Sequence, residues 1–474
     1  MLARYCAASA VFASMLYAIS AAPASTSRVF SVKDYGARGD GRTDDTLPIQ
    51  RAIESAAKAG SAGAVSIVDI PPGIYRVTLD ATTRSALKIH AYTVIRGAGE
   101  DRSVVRLADH QGNYFAIFSG SGRDVSYFTM ENLTVDSNAS HNPVYSTSDF
   151  FTRTNVRFSL VIYQGSHIRI IKNHFTDIDD INTVAVNVKG SDVVIANNLF
   201  DQIGGWFDHD HSTLYVHADS DVHIFANNFK SRSPGTPAAR TAIETHGSDA
   251  YVENNLIQDM YYGMNITGID SPTDSITVTG NNIVNCLTGI WLWSRSQTGM
   301  PTALTNVRIA GNMIVCNPNV WASVLPYNVA RGIALWKDNN APVKSLRIRG
   351  NAIRLTPLTR AGNTNDRWAS GIDLTLPAPR TAAPTYDAVE ISDNTIENSL
   401  AAGIDLDYDF NGVNIRSNTI VNAGQSQGFF SDHYRAGIVL EGKVSGVQLS
   451  DNVVVDNQQK PTTHYILFAG QPPL

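Results

Sequence analysis

The sequence predicts an all-β fold, a solenoid of the parallel β-helix kind with about ten or more coils. Three observations carry that expectation. An asparagine-centred unit repeats along much of the 474-residue chain, its flanks alternate at period two, and charged residues make up only 17% of the composition. The unit reads hydrophobic–x–x–Asn–x–hydrophobic. It occurs as IIKNHF around Asn173, IANNLF around Asn198, IFANNF around Asn227, VENNLI around Asn255 and VTGNNI around Asn281. It continues through IAGNMI (Asn312), IRGNAI (Asn351), ISDNTI (Asn394), IRSNTI (Asn418) and LSDNVV (Asn452). Alternation in the flanks, as in Val389 and Ile391 or Val447 and Leu449, marks strands rather than helices. No helical pattern separates the units, and hairpin dipeptides are scarce, which argues against βαβ units and propeller blades. Asparagine suits the corner of such a coil, because stacked amides bond to the coil above and below and the residue tolerates left-handed backbone. Low charge fits as well, since like charges stacked about 4.8 Å apart would repel along the whole solenoid.

The elements follow in order. Arg4, an apolar run from Ala7 to Ile19 and small residues at Ser20, Ala21, Ala22 and Ala24 have the form of a secretory signal, so residues 1–23 are expected to be removed on export. The run is too short to span a bilayer, which takes about 20 apolar residues, and no later stretch approaches that length. The expected location is therefore extracellular or periplasmic, with no membrane contact after cleavage. Residues 28–78 are expected to form a capping segment and residues 79–474 the β-helix. Asp45 or Thr46 caps a short α-helix with Pro48 in its first turn and Gly60 at its end. Ile49, Ile53 and Ala56 give that helix an apolar stripe with which to close the open end of the solenoid. Cleavage leaves Cys286 and Cys316, whose pairing the sequence leaves open, as it leaves open monomer and trimer. With 37 basic and 43 acidic residues, a formal charge of −6 offers no footprint for nucleic acid.

A second strand row follows each Asn turn and reads small–hydrophobic–x–hydrophobic–x. Examples are TLYVH (213–217), AIETH (242–246), GMNIT (263–267), GIWLW (289–293), GIALW (332–336), GIDLT (371–375) and GIDLD (403–407). Its x positions are expected to face outward in two stacked columns. Tyr215, Glu244, Asn265, Trp291, Asp373 and Asp405 lie in one; His217, His246, Trp293, Trp336 and Asp407 lie in the other. Exposed tryptophans suit stacking on sugars, and Tyr215, His217, Glu244 and His246 can all move protons. Loops add Asp208, His209, Asp210 and His211 before one strand, Arg240 before the next and Tyr262 at the start of a third. Lys337 follows Trp336. The stripe Asp373, Asp405 and Asp407 is a weak candidate for Ca²⁺, which takes oxygen ligands; no other cofactor is indicated.

The run VFSVKDYGARGDGRTDDTLPIQRAIESAAKAG (29–60), with VDIPPGIYRV (68–77), resembles the opening of the pectate-lyase superfamily. The resemblance rests on Asp34, Tyr35, Gly36, Ala37, Gly39, Asp40, Gly41, Thr43, Asp44, Asp45, Thr46, Ile49 and Gln50, then Pro71, Pro72, Gly73 and Tyr75. It implies a right-handed parallel β-helix and a protein that acts on or binds polysaccharide: a lyase, a rhamnogalacturonase-like hydrolase, a mannuronan epimerase or a phage tailspike. Family hydrolase motifs are echoed by Asp179-Asp180 and His246-Gly247, but Arg169-Ile170-Ile171-Lys172 falls out of order. The epimerase signature is approached by Trp206-Phe207-Asp208-His209-Asp210-His211, without its Tyr and Pro.

Taken together these readings lead to a secreted carbohydrate-active enzyme whose partner is a polysaccharide containing uronate. β-Elimination is preferred, with His217 or His246 as base, Tyr215 or Tyr262 as acid and Arg240 neutralising the carboxylate. A hydrolase would instead pair Glu244 with Asp208 or Asp210. A C5-epimerase and a non-catalytic glycan-binding β-helix are the remaining alternatives. Substrate contacts are expected from His209, His211, Tyr262, Asn265, Trp291, Trp293, Trp336 and Lys337.

Overall fold

In the computed structural model, three long parallel sheets wrap one continuous apolar core, an architecture that fits a right-handed β-helix. The structure describes residues 27–474 except 113, 143–156, 180–181, 205–211, 233, 236–239, 269–272, 295–303, 322–329, 338–342, 357–368, 375–385, 408–409, 426–434, 442–443, 458–463 and 470–474. Coils contribute a strand to each sheet, and some, such as the one holding Thr273–Asp274 and Ile276–Thr279, contribute two to the first. The strand before the Asn corner, such as Ser220–Phe225, lies in sheet one, and the short strand after it, Asn228–Ser231, lies in sheet two. The chemistry-bearing row, such as Thr241–Gly247, forms sheet three. Sequence patterning resolves the first and third of these rows. The middle row is hidden in it, because these strands are only three to five residues long and abut the asparagine.

The asparagines form one unbroken ladder from Asn173 to Asn452. Asn281 shows the pattern. Its backbone and side-chain N–H groups donate to Asn312 Oδ1 at 3.0 and 2.9 Å, and its Nδ2 also donates to the Val252 carbonyl at 2.9 Å. Its own Oδ1 accepts the two equivalent bonds from Asn255, both at 2.9 Å. One expectation is corrected here. The left-handed residue at each corner is the one before the ladder asparagine: Lys172, Asn197, Ala226, Asn254, Gly280, Gly311, Gly350, Asp393, Ser417 and Asp451, with φ of 54 to 65°. The asparagine thus secures the corner through its amide, and its neighbour takes the strained backbone.

The small residue that opens the third row also has a reason. A Cβ on Gly332 would lie 2.4 Å from the Gly371 carbonyl oxygen and 2.3 Å from a methyl of Ile353. The same position is glycine in every third-row strand from Gly263 to Gly437, where a side chain would collide with the next coil.

At the N-terminal end a 14-residue helix, Thr46–Ala59, buries Ile49, Ala52, Ile53 and Ala56 against the first strands. Asp45 stands at its N-cap position but does not cap it. Its buried carboxylate accepts the backbone N–H groups of Arg38 and Gly39, at 2.7 and 2.9 Å, and so ties down the preceding turn. Strand Val29–Ser31 pairs with Ser66–Ile70, and Gly73–Val77 with Ser103–Leu107, so the sheets run unbroken past residue 78. Cys286 and Cys316 are register partners on adjacent coils, buried, with free thiols. No helix among the described residues is long and apolar enough to cross a membrane.

Candidate functional site

The outward side chains of sheet three stack in the two columns the sequence suggests. Ala185, Tyr215, Glu244, Asn265, Trp291, Ala334, Asp373, Asp405 and Val439 are successive register partners. Asn187, His217 and His246 follow one another in the second column. What the columns do not share is the exposure expected of an outer face. Glu244, His246 and Asn265 are each only 5% exposed, and Asp373 and Asp405 only 2%.

The best-organised group is built on the adjacent strands Ser212–Ala218 and Thr241–Gly247. His246 Nε2 lies 2.9 Å from Glu244 Oε1, and Ser212 Oγ donates to the other carboxylate oxygen, Oε2. The imidazole of His246 stacks on that of His217 at 5.5 Å, and the Tyr215 ring sits 4.9 Å from it. His246 Nδ1 and Asn265 Oδ1 are buried without a hydrogen-bond partner among the described residues. Two imidazoles, a phenol and an oriented carboxylate thus meet within two coils. Glu244 holds the His246 ring in place, which is what a base or acid in proton transfer needs.

A second feature is aromatic and acidic. Tyr262 packs edge-on against Trp291 and Tyr261, with ring centroids 4.8 and 4.5 Å away. Burial pushes the Tyr262 phenol well above its usual value and Tyr261 up to about 12, so both are protonated at neutral pH. The Arg331 guanidinium lies 5.8 Å from the Trp291 ring centroid and pairs with Asp373 at 2.7 Å. Beside that pair, burial raises the Asp405 carboxyl well above the ordinary range, and the neighbouring Asp373, Glu441 and Asp407 push it further.

A model of the rhamnogalacturonase A/epimerase, pectate lyase-like family matches residues 29–291, more than half of the chain. The chain belongs to that family. Over 112 residues, 23% of its length, this family member is 39% identical to alginate lyase 7 of Azotobacter vinelandii, of which the match covers 13%. It is 35% identical over the same length to mannuronan C5-epimerase AlgE4 of that organism, covering 20% of it. The match therefore spans only a small part of these relatives. Among solved structures it resembles the catalytic unit of a GH87 α-1,3-glucanase from Streptomyces thermodiastaticus, with a TM-score of 0.57, 17% identity and coverage of 94% of this chain and 71% of that one. It resembles to the same degree the tailspike of E. coli bacteriophage HK620 in complex with a pentasaccharide (TM-score 0.57, 16% identity, 93% and 80% covered). At such identities these likenesses show the shared β-helix.

Several expected site residues stand elsewhere in this family member. Arg240 is wholly buried and donates to Thr183 Oγ1 at 3.1 Å, near the start of strand Asn182–Asn187. Thr183 is two residues from Ala185, the register partner of Tyr215, so Arg240 is held against the strand, wholly buried, and not open to a substrate carboxylate. Trp291 and Trp293 are half-buried rather than open platforms. Trp336 and Lys337 lie on strand Arg331–Lys337, but their side chains are outside the described ones, as are Asp208, His209, Asp210 and His211. The Asp373, Asp405 and Asp407 stripe does not bring three ligand atoms onto one ion, and burial that disfavours the charged form of Asp405 does not suit Ca²⁺.

Among the described residues one other group brings three potential ligands together: Glu100, Asp101 and His174. There, His174 Nδ1 and Nε2 are bonded to Asp101 and Asp201 at 3.0 and 2.8 Å, so neither nitrogen offers a lone pair to an ion. Sequence reasoning missed Ser212 and Asn187. Ser212 precedes the alternating pattern. Asn187 becomes visible as a neighbour of His217 only through the register.

Proposed function

We propose that this chain is an exported enzyme that cleaves a uronate-containing polysaccharide by β-elimination at Tyr215, His217, Glu244 and His246. The observation that carries this reading is the His246–Glu244 bond, with His217 and Tyr215 stacked against the same imidazole. The family assignment, the alginate lyase similarity and the segment 1–23 support it.

In the elimination an imidazole of the pair removes the proton next to the carboxyl carbon. The electron pair becomes a carbon–carbon double bond, the glycosidic C–O bond breaks, and Tyr215 returns a proton to the leaving oxygen. Glu244 orients His246 through their hydrogen bond. With Arg240 withdrawn, the donors beside the pair that can bind the substrate carboxylate are the amides of Asn187 and Asn265.

A second reading, hydrolysis, is favoured by one specific observation. Asp373 and Asp405 are register partners, and adjacent strands lie about 4.8 Å apart. An Asp405 that burial makes hold its proton more tightly, beside an Arg331-paired Asp373, has the division of labour of a glycosidase acid and its partner carboxylate, at the short spacing of a retaining enzyme.

The deciding experiment incubates the purified protein and its His246→Ala and Asp405→Asn variants with acidic and neutral polysaccharides. Formation of an unsaturated, ultraviolet-absorbing uronate product that is lost in His246→Ala supports elimination. Reducing ends without that absorbance, lost in Asp405→Asn and retained in His246→Ala, reject it in favour of hydrolysis.

A further inference from the structure

The outer face of sheet three changes electrostatic character at the His217–His246 pair. On the N-terminal side two clefts open onto it. One, of about 230 Å³, is lined by Lys88, Arg123, Ser119 and Phe115 among others. The other, of about 650 Å³, is lined by Lys189, Asn187, Tyr163, Gln164 and Asp124 among others. Both clefts connect to the site by register. Lys88, Ser119, Val161, Ala185 and Tyr215 occupy one column, so Lys88 stands four coils, about 19 Å, from Tyr215. Asn187 is the register partner of His217, and Lys189 follows it by two residues, exposed to solvent.

The cations are placed rather than incidental. Arg123 Nη1 lies 3.1 Å from His90 Nε2, and burial together with the Arg123 charge lowers the His90 pKa, so a neutral His90 accepts that bond and fixes the guanidinium. The one carboxylate in these clefts, Asp124, accepts the Ser126 hydroxyl at 2.7 Å. On the C-terminal side the described outward columns carry Asn265, Trp291, Asp373, Asp405, Asp407 and Glu441. Arg331, a cation beside them among the described residues, is already paired with Asp373.

We infer that the polymer binds with its carboxylated arm over the N-terminal coils, where Lys189 holds the uronate next to the reacting one and Lys88 with Arg123 holds one farther along. The C-terminal coils, whose described outward columns carry no cation, receive the sugars beyond the cleaved bond. This rests on the uronate reading above. It goes further in assigning a direction and a set of cations. A coil's rise is close to the length of one pyranose, so a chain lying along the axis meets one coil per sugar.

The test is calorimetric binding of hexamannuronate, hexagalacturonate and cellohexaose to the whole protein and to its Lys88→Gln, Lys189→Gln and Lys230→Gln variants. Lys230 is an exposed lysine on sheet two and serves as the control. Thermal melting verifies that each variant is folded. The expected result is that at least one uronate hexamer binds, that Lys189→Gln and Lys88→Gln each weaken it about tenfold, and that Lys230→Gln does not. Binding should also fall steeply towards about 1 M salt, where the screening length is about 3 Å. Uronate binding unaffected by Lys88→Gln and Lys189→Gln overturns the assigned direction and leaves the uronate reading standing. Failure of both uronate hexamers to bind, or cellohexaose binding as tightly and without salt dependence, overturns the uronate reading and the inference with it.

Discussion

Two rows of polar side chains run the length of this solenoid, and they are built on opposite terms. At the Asn corner the amides are joined to their neighbours: Asn198, for example, donates to Asn227 Oδ1 from both its backbone and side-chain nitrogens and to the Ile170 carbonyl. On the outer face of sheet three, His246 Nδ1, Asn265 Oδ1, Thr267 Oγ1, Trp293 Nε1 and Asp405 Oδ1 are buried with no partner among the described residues. A buried polar group left unsatisfied costs about 1–3 kcal/mol. The ladder amides themselves meet none of that cost and are structural. The face carries it repeatedly, which is the pattern expected where polar atoms are kept for something other than the fold.

The largest expected effect separates the two rows by activity. Glu244→Gln removes the charge that orients His246 and should lower kcat by about 10²–10⁴, with the chemical denaturation midpoint nearly unchanged. Steady-state kinetics and urea unfolding on the same preparation check both halves. A large stability loss with activity retained would make sheet three an architectural face like the corner.

The complementary change is Asn281→Leu. It strands the Asn255 backbone N–H and removes one bond each from the Asn255 amide, the Val252 carbonyl and Asn312 Oδ1, which keeps the backbone N–H of residue 281, so unfolding free energy should drop by about 2–4 kcal/mol. Denaturant titration reads this. A drop below about 1 kcal/mol would mean that the ladder contributes order without stability.

A smaller effect lies in the buried carboxyls. The Asp405 pKa is raised above its usual 3.8, so the fold binds that proton more tightly than the unfolded chain does. Stability from this group is present below pH 3.8 and is lost as pH climbs towards the folded-state value. Asp405→Asn should therefore melt higher than the parent protein at neutral pH, with the gain vanishing towards pH 4. A lower melting temperature throughout would show Asp405 to be ionised and paired.

The smallest effect belongs to sheet two. Burial alone would lower the His174 pKa, but its bonds to Asp201 and Asp101 outweigh that and raise it above 6.5. Its contribution, on the order of 0.5–1 kcal/mol given the exposed Asp101, is complete below pH 6.5 and fades as pH rises through the folded value. Melting curves between pH 6 and 9 should slope less in His174→Gln.

Much of this was legible in the chain. The corner asparagines could be found one by one because each coil needs the same amide at the same place, so a structural requirement becomes a text repeat. The alternating third row could be found for the same reason, and with it the meeting of Tyr215, His217, Glu244 and His246. Arg240 could not be placed, because its loop position does not say which way the guanidinium turns, and it turns inward to Thr183. Nor could Asp45, whose capping spacing was right while its carboxylate serves the turn before the helix.

By itself the sequence determined the repeat, the asparagine ladder and which residues share the outward columns, since all of these follow from periodicity along the chain. Only the tertiary structure decided how deeply each outward residue is buried, which cations line the clefts and which are paired among the described residues, and that burial raises the Asp405 pKa. Those properties depend on contacts between residues far apart in the chain, and periodicity carries no information about them.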